Sequence, residues 1–158
     1  MNTASRCTVV FALTVALGWR AFPRPTDPVE IPFEYSRAFG LMLVKVEIND
    51  KPAVMVVDTG SNETTVSPKF VIINQHRLKD AVTMAKSSGY TGTGTAVIAT
   101  VFLKVGPLSP KNCQILVMDL TGLSKSLGQD IDGILGMSVL KDFETVTVDL
   151  RHHKLVLR

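Results

Sequence analysis

The chain has 158 residues, 46% of them hydrophobic and 20% charged. That is enough for one domain with a real buried core, and too apolar for an intrinsically disordered chain. The net charge of +3 is scattered, and no run of Lys and Arg interleaves with aromatics, which argues against a nucleic-acid partner.

Residues 1–18 read as an export signal. Arg6 supplies a positive charge, residues 7–18 (CTVVFALTVALG) form an apolar run, and Ala16 and Gly18 are small residues ahead of a cut before Trp19. The run is shorter than the roughly 20 residues that span a bilayer. The expectation is therefore a periplasmic or secreted protein, membrane-bound only if this segment stays uncleaved as an anchor. Cleavage removes Cys7 and leaves Cys113 without an internal disulfide partner. Cys113 lies in an apolar stretch and reads as a buried, inert thiol. Residues 19–30 (WRAFPRPTDPVE) hold three prolines and read as an extended linker. The folded domain is placed at 31–158.

From Ile31 onward the pattern is one of short strands. Residues 41–48 (LMLVKVEI) end in alternation, Asn49-Asp50 marks a tight turn, and 53–57 (AVMVV) reads as a strand buried on both faces. The pair predicts a β-hairpin that delivers Asp58 at the end of its second strand. Further strands are predicted at 64–67, 81–86, 95–105, 113–119, 145–150 and 154–157. Residues 86–95 (KSSGYTGTGT) read as a mobile hairpin tip, and 122–132 as a polar loop. Residues 137–142 form the one helix the pattern supports, while 71–80 reads at most as a turn. Short strands and glycine turns make this an all-β barrel or sandwich, and no internal repeat is evident.

The stretch that carries chemistry is Val56-Val57-Asp58-Thr59-Gly60-Ser61. A carboxylate directly after a buried apolar strand must find hydrogen bonds or a partner charge. Gly60 lets the backbone turn and lets amide N–H groups approach that carboxylate, and Ser61 has a hydroxyl to donate to its outer oxygen.

Asp58-Thr59-Gly60-Ser61 resembles the active-site motif of pepsin-like and retroviral-type (retropepsin-like) aspartic peptidases. Asp132-Gly133-Ile134-Leu135-Gly136 resembles the second signature of those enzymes, and the glycine-rich hairpin between the two lies where they place a flap. The resemblance covers about residues 31–158. It implies a single-lobe acid-protease closed barrel, with a flap hairpin and one short helix near the C-terminus. It also implies a residue-by-residue assignment: Asp58 as the catalytic aspartate, Thr59 bonding to its counterpart across a dimer axis, Gly60 beneath the carboxylate, and Ser61 orienting it. Gly89, Tyr90 and Gly92 belong to the flap, with Tyr90 near the tip over the substrate. Ile134, Leu135 and Gly136 pack behind the loop as support.

Such chemistry needs two aspartates, because two carboxylates about 3 Å apart share one proton and divide the roles of base and acid. The chain has one Asp-Thr-Gly and no repeat, so the second aspartate is expected from another copy in a C2 homodimer. Asp132 also precedes a glycine, but it follows a polar loop, which fits a turn residue bonding its own backbone.

Other readings fare worse. A phosphoryl-accepting aspartate usually has a second acid two residues on, where this chain has Gly60. Gly92-Thr93-Gly94 lacks the helix and lysine of a phosphate loop. His152 and His153 point to opposite faces of an extended segment and have no companion cluster, and His76 is isolated, so no metal site is assigned. The reading is an aspartic endopeptidase that needs neither metal nor organic cofactor and takes a peptide or protein as substrate. The alternative is a non-catalytic domain of the same fold that binds peptides or partners.

Overall fold

A computed structural model describes residues 27–36, 39–73, 84–89, 92–109 and 111–158. In chain order the elements are β1 (Val29–Ser36), β2 (Leu41–Ile48), β3 (Lys51–Val57), β4 (Thr65–Val66), α1 (Pro68–Ile73), β5 (Met84–Gly89), β6 (Gly92–Val105), β7 (Lys111–Val117), α2 (Thr121–Leu127), β8 (Gly133–Leu135), α3 (Met137–Leu140), β9 (Val146–Asp149) and β10 (Lys154–Leu157).

The hairpin predicted ahead of Asp58 is present. β2 and β3 pair antiparallel from Leu43↔Val56 to Ile48↔Lys51. Asn49 and Asp50 supply the turn at φ 48° and 63°, left-handed conformations that Asn and Asp tolerate better than other side chains and that match the twist of a two-residue hairpin. Asn49 also helps to close the barrel. Its Oδ1 accepts the Phe102 N–H at 2.8 Å, and its own N–H donates to the Phe102 carbonyl at 2.8 Å. Those bonds continue the pairing of β2 with β6 at Val46–Ile48 and Leu103–Val105.

Closure follows the ring β2–β3–β8–β4–β7–β6 and back to β2, a six-stranded barrel. β8 runs parallel to β3, and the two residues of β4 wedge between β8 and β7. Alternation sorts the side chains of β3 as the apolar run predicted. Ala53, Met55 and Val57 enter the main core with Val44, Leu103 and Leu135, while Val56 faces the other way into a smaller cluster with Leu43 and Ile131. Outside the ring, β1 bridges β2 and β10, and β9 flanks β10.

The all-β expectation holds, with three corrections. First, residues 122–132 are not all loop. α2 occupies Thr121–Leu127 and lays Leu123 and Leu127, one helical turn apart, against the Leu43–Val56–Ile131 cluster. It stops at Gly128, which takes φ 60° and returns its N–H to the last turn. Second, a short helix runs into the segment 71–80, where the sequence predicts at most a turn: α1 covers Pro68–Ile73, and the Ser67 hydroxyl accepts the Phe70 N–H at 3.1 Å. Residues 74–80 lie outside the described residues. Third, β5 and β6 pair from Met84↔Val97 to Gly89↔Gly92, so most of the 86–95 segment is ladder instead of loop. The connection at 90–91, and Tyr90 with it, lies outside the described residues. At the start of the sheet, β1 begins at Val29, which pairs with Leu157 of β10.

Candidate active site

Asp58 follows β3 directly, where a buried strand meets solvent, and is half-buried. Its N–H donates to the Leu135 carbonyl at 3.1 Å, extending the β3–β8 ladder by one residue. Its carbonyl accepts the Ser61 N–H at 3.3 Å, which closes a turn over residues 58–61. Within that turn the Gly60 N–H donates to Asp58 Oδ1 at 2.8 Å, so the carboxylate is held from inside its own loop. A side chain at position 60 would crowd this contact, because its Cβ would lie 3.2 Å from Oδ1. Thr59 is exposed, and so within one chain it is open to contact from outside.

Ser61 behaves differently from the expectation. Its hydroxyl donates to the Glu63 carbonyl at 2.8 Å, shaping the loop instead of touching the carboxylate.

Behind the loop stands the second signature. Leu135 is buried in the main core, and Ile134 is buried as well. Gly136 sits so close that an added Cβ would lie 2.3 Å from the Glu63 carbonyl oxygen and 2.9 Å from that of Ser61. Gly133 is equally confined, against the Thr65 carbonyl oxygen at 2.3 Å and Met55 Cε at 2.7 Å. Sequence reasoning missed Thr64 and Ser138, a hydroxyl pair beneath the loop. Thr64 is fully buried, but it lies in the polar run Ser61-Asn62-Glu63-Thr64-Thr65, where no local pattern marks it.

Asp132 is a strand clamp. Its Oδ2 accepts the Val54 N–H at 2.8 Å, its own N–H donates to the Val54 carbonyl, and its carbonyl accepts the Ser67 N–H. The carboxylate thus bonds a neighbouring strand, not its own backbone. It stands opposite Val54, four residues back along β3 from Asp58. At ~3.3 Å per residue that is about 13 Å, too far for the two carboxylates to share a proton.

The histidine pair is spoken for. His152 Nδ1 lies 2.7 Å from Asp149 Oδ2, and that side-chain bond, followed by the His152 N–H, holds the Asp149 carboxyl below its usual range. The His153 ring stacks on Phe33 with centroids 5.8 Å apart. Among the described residues no three His, Cys, Asp or Glu side chains gather to hold a metal ion. An open groove between α1 and α2, lined by Ser67, Lys69, Leu120, Ser124 and Ile131 among others, does not include residues 58–61. Asp58 is half-buried on a loop whose Thr59 and Gly60 are exposed.

A six-stranded barrel that carries one Asp-Thr-Gly loop at the end of a buried strand, an Ile-Leu-Gly strand behind that loop, and a long β5–β6 hairpin defines a single lobe of the acid-protease type. A family model described as aspartyl protease matches residues 44–139, and the chain belongs to the aspartyl protease family. A retropepsin-like aspartic protease from Rickettsia conorii has a similar fold, with a TM-score of 0.59 at 21% identity over 83% of this chain and 91% of that one. The EIAV protease bound to an inhibitor gives 0.49 at 17% identity, over 69% and 93% of the two chains. The retroviral protease-like domain of Ddi1 from Leishmania major gives 0.45 at 13%, over 75% and 91%. No curated protein matches the chain.

Proposed function

We propose that the chain is an aspartic endopeptidase active as a homodimer, with one Asp58 contributed by each subunit. The observation that carries this reading is the presentation of Asp58. Its backbone is locked to the Leu135 carbonyl and one carboxylate oxygen to the Gly60 N–H, while the group stays half-exposed beside an open loop. A carboxylate that only capped a turn would not need the backing strand to press so closely on that loop.

Brought to about 3 Å from its twin, the carboxylate shares one proton with it. The ionised member takes a proton from a water as that water's oxygen attacks the peptide carbonyl carbon. The protonated member gives its proton to the carbonyl oxygen. Collapse of the resulting diol breaks the C–N bond, with a proton delivered to the leaving amine. Asp132 cannot replace the second carboxylate at its distance along β3. Exposed Thr59 fits a contact with its counterpart across the axis, and the β5–β6 hairpin fits a flap that adds hydrogen bonds along an extended substrate.

Arg6, the apolar run at 7–18 and the small residues before Trp19 support export, with membrane attachment if that segment is retained.

The test is cleavage of a diverse peptide library across acid to neutral pH, beside Asp58→Asn. Cleavage by the unmodified protein alone supports the reading. Cleavage that survives the substitution removes Asp58 from the mechanism, and a folded dimer that cuts nothing moves the protein to a binding role.

A further inference from the structure

Beneath the Asp58 loop lies a pair of hydroxyls that touch no reacting atom yet fix the loop from below. The Thr64 N–H donates to Ser138 Oγ at 2.9 Å, and Ser138 Oγ donates back to Thr64 Oγ1 at 3.0 Å. Thr64 Oγ1 also accepts the Gly136 N–H at 3.2 Å. Thr64 is 0% exposed and its bond from Gly136 is buried, while the two bonds with Ser138 are part-buried, so loss of the Thr64 hydroxyl leaves a buried donor without its partner.

The pair ties together the two segments that define the site. Residues 58–64 descend from Asp58, and residues 135–138 carry the backing strand into α3. Along this seam the Asp58 N–H meets the Leu135 carbonyl at 3.1 Å and the Met137 N–H meets the Ser61 carbonyl at 2.8 Å. Gly136 is wedged against Glu63 between them. The loop is thus fastened near Asp58, at Ser61 and at Thr64. The hydroxyl pair is the fastening made by side chains, so it can be removed without cutting the backbone.

We propose that Thr64 and Ser138 are positioning residues for catalysis. They hold the 58–64 loop at the height where the two Asp58 carboxylates come within proton-sharing distance across the dimer axis. The proposal rests on the reading of Asp58 as the catalytic carboxylate. Strong coupling between the two carboxylates requires close approach, and their two macroscopic ionisations draw together as they separate. A loop that shifts by a fraction of an ångström therefore changes the shape of the pH profile as well as the rate.

The experiment uses the full chain with Thr64→Val, Thr64→Ser, Ser138→Ala and Asp58→Asn. Val keeps the shape of Thr but removes the acceptor for Gly136 and Ser138. Thr64→Val is expected to lower kcat by about 10- to 100-fold, in the range that small misplacement of reacting groups produces. Its KM should stay within about twofold, and the two limbs of its pH–rate profile should move closer together. Thr64→Ser should recover most of the rate and the original profile. Ser138→Ala should reproduce the Thr64→Val pattern more mildly, and it stands in if that variant does not fold. In parallel, ¹³C NMR of the Asp58 carboxyl follows its titration directly, with two well-separated steps expected in the parent and a narrower gap in the variants. If the variants lose only thermal stability, keeping the parent kcat, pH profile and titration, Thr64 and Ser138 are structural and the proposal fails while Asp58 keeps its role. If the parent shows neither cleavage sensitive to Asp58→Asn nor a two-step titration, the underlying reading fails and the proposal falls with it.

Discussion

Gly136 shows how tightly the site is built at the scale of one residue. A methyl group there would have to displace the carbonyls of Glu63 and Ser61, which belong to the Asp58 loop. Overpacking of this kind costs about 1–3 kcal/mol. Gly136→Ala should lower stability by that amount in urea unfolding and should lower activity further in the fraction that folds. A stable, fully active variant would show that the backing strand does not set the loop. Cys113 offers a second test at this scale. Burial pushes its thiol up to about 11, with Lys111 opposing and Asp142 adding to the shift. At pH 8 the native thiolate should be about 100-fold scarcer than that of an ordinary cysteine, and alkylation correspondingly slow until the protein unfolds. The sign for stability follows from the raised value. This contribution is intact below the unfolded-state pKa of 9.0 and is lost as pH rises toward 11. The parent should therefore lose melting temperature across that window faster than Cys113→Ala. Equal slopes would contradict the burial assigned to the thiol.

Among the elements, the β2–β3 hairpin was the most legible, because alternation, a continuous apolar run and Asn49-Asp50 all agreed. What the turn residues did not reveal is that Asn49 reaches across to Phe102 and seals β2 to β6. Asn49→Gly keeps the left-handed turn and loses the side-chain bond, whereas Asn49→Ala loses the bond and strains the turn as well. Urea unfolding should rank the parent above Gly and Gly above Ala, with the Ala variant down by about 2–3 kcal/mol. An Ala variant as stable as the Gly variant would mean that the turn geometry carries no cost. α2 escaped notice because Gly122 and the serines at 124 and 126 dilute the period of Leu120, Leu123 and Leu127. What stabilises it is an apolar patch supplied by β2 and β3, a contact that no local pattern encodes. β4 was legible as a strand, but its wedging between β7 and β8 is a product of barrel closure. The site was partly legible in the same way. Asp58, Gly60 and the Ile-Leu-Gly signature stand out as motifs, whereas Thr64, Ser138 and the clamp role of Asp132 depend on residues more than 70 positions apart meeting across strands.

For the whole molecule, one chain supplies one Asp58 carboxylate, and the proposed chemistry requires two. The mechanism therefore makes subunit association part of the active site and ties specific activity to protein concentration wherever the dimer is weak. The most direct test mixes unmodified protein with Asp58→Asn at constant total concentration, after subunits have been allowed to exchange. If both aspartates are needed, activity follows the square of the unmodified fraction, so that an equal mixture keeps about a quarter of the parent rate. A linear fall, with half the rate retained, would show that a single Asp58 suffices and would contradict the two-subunit site.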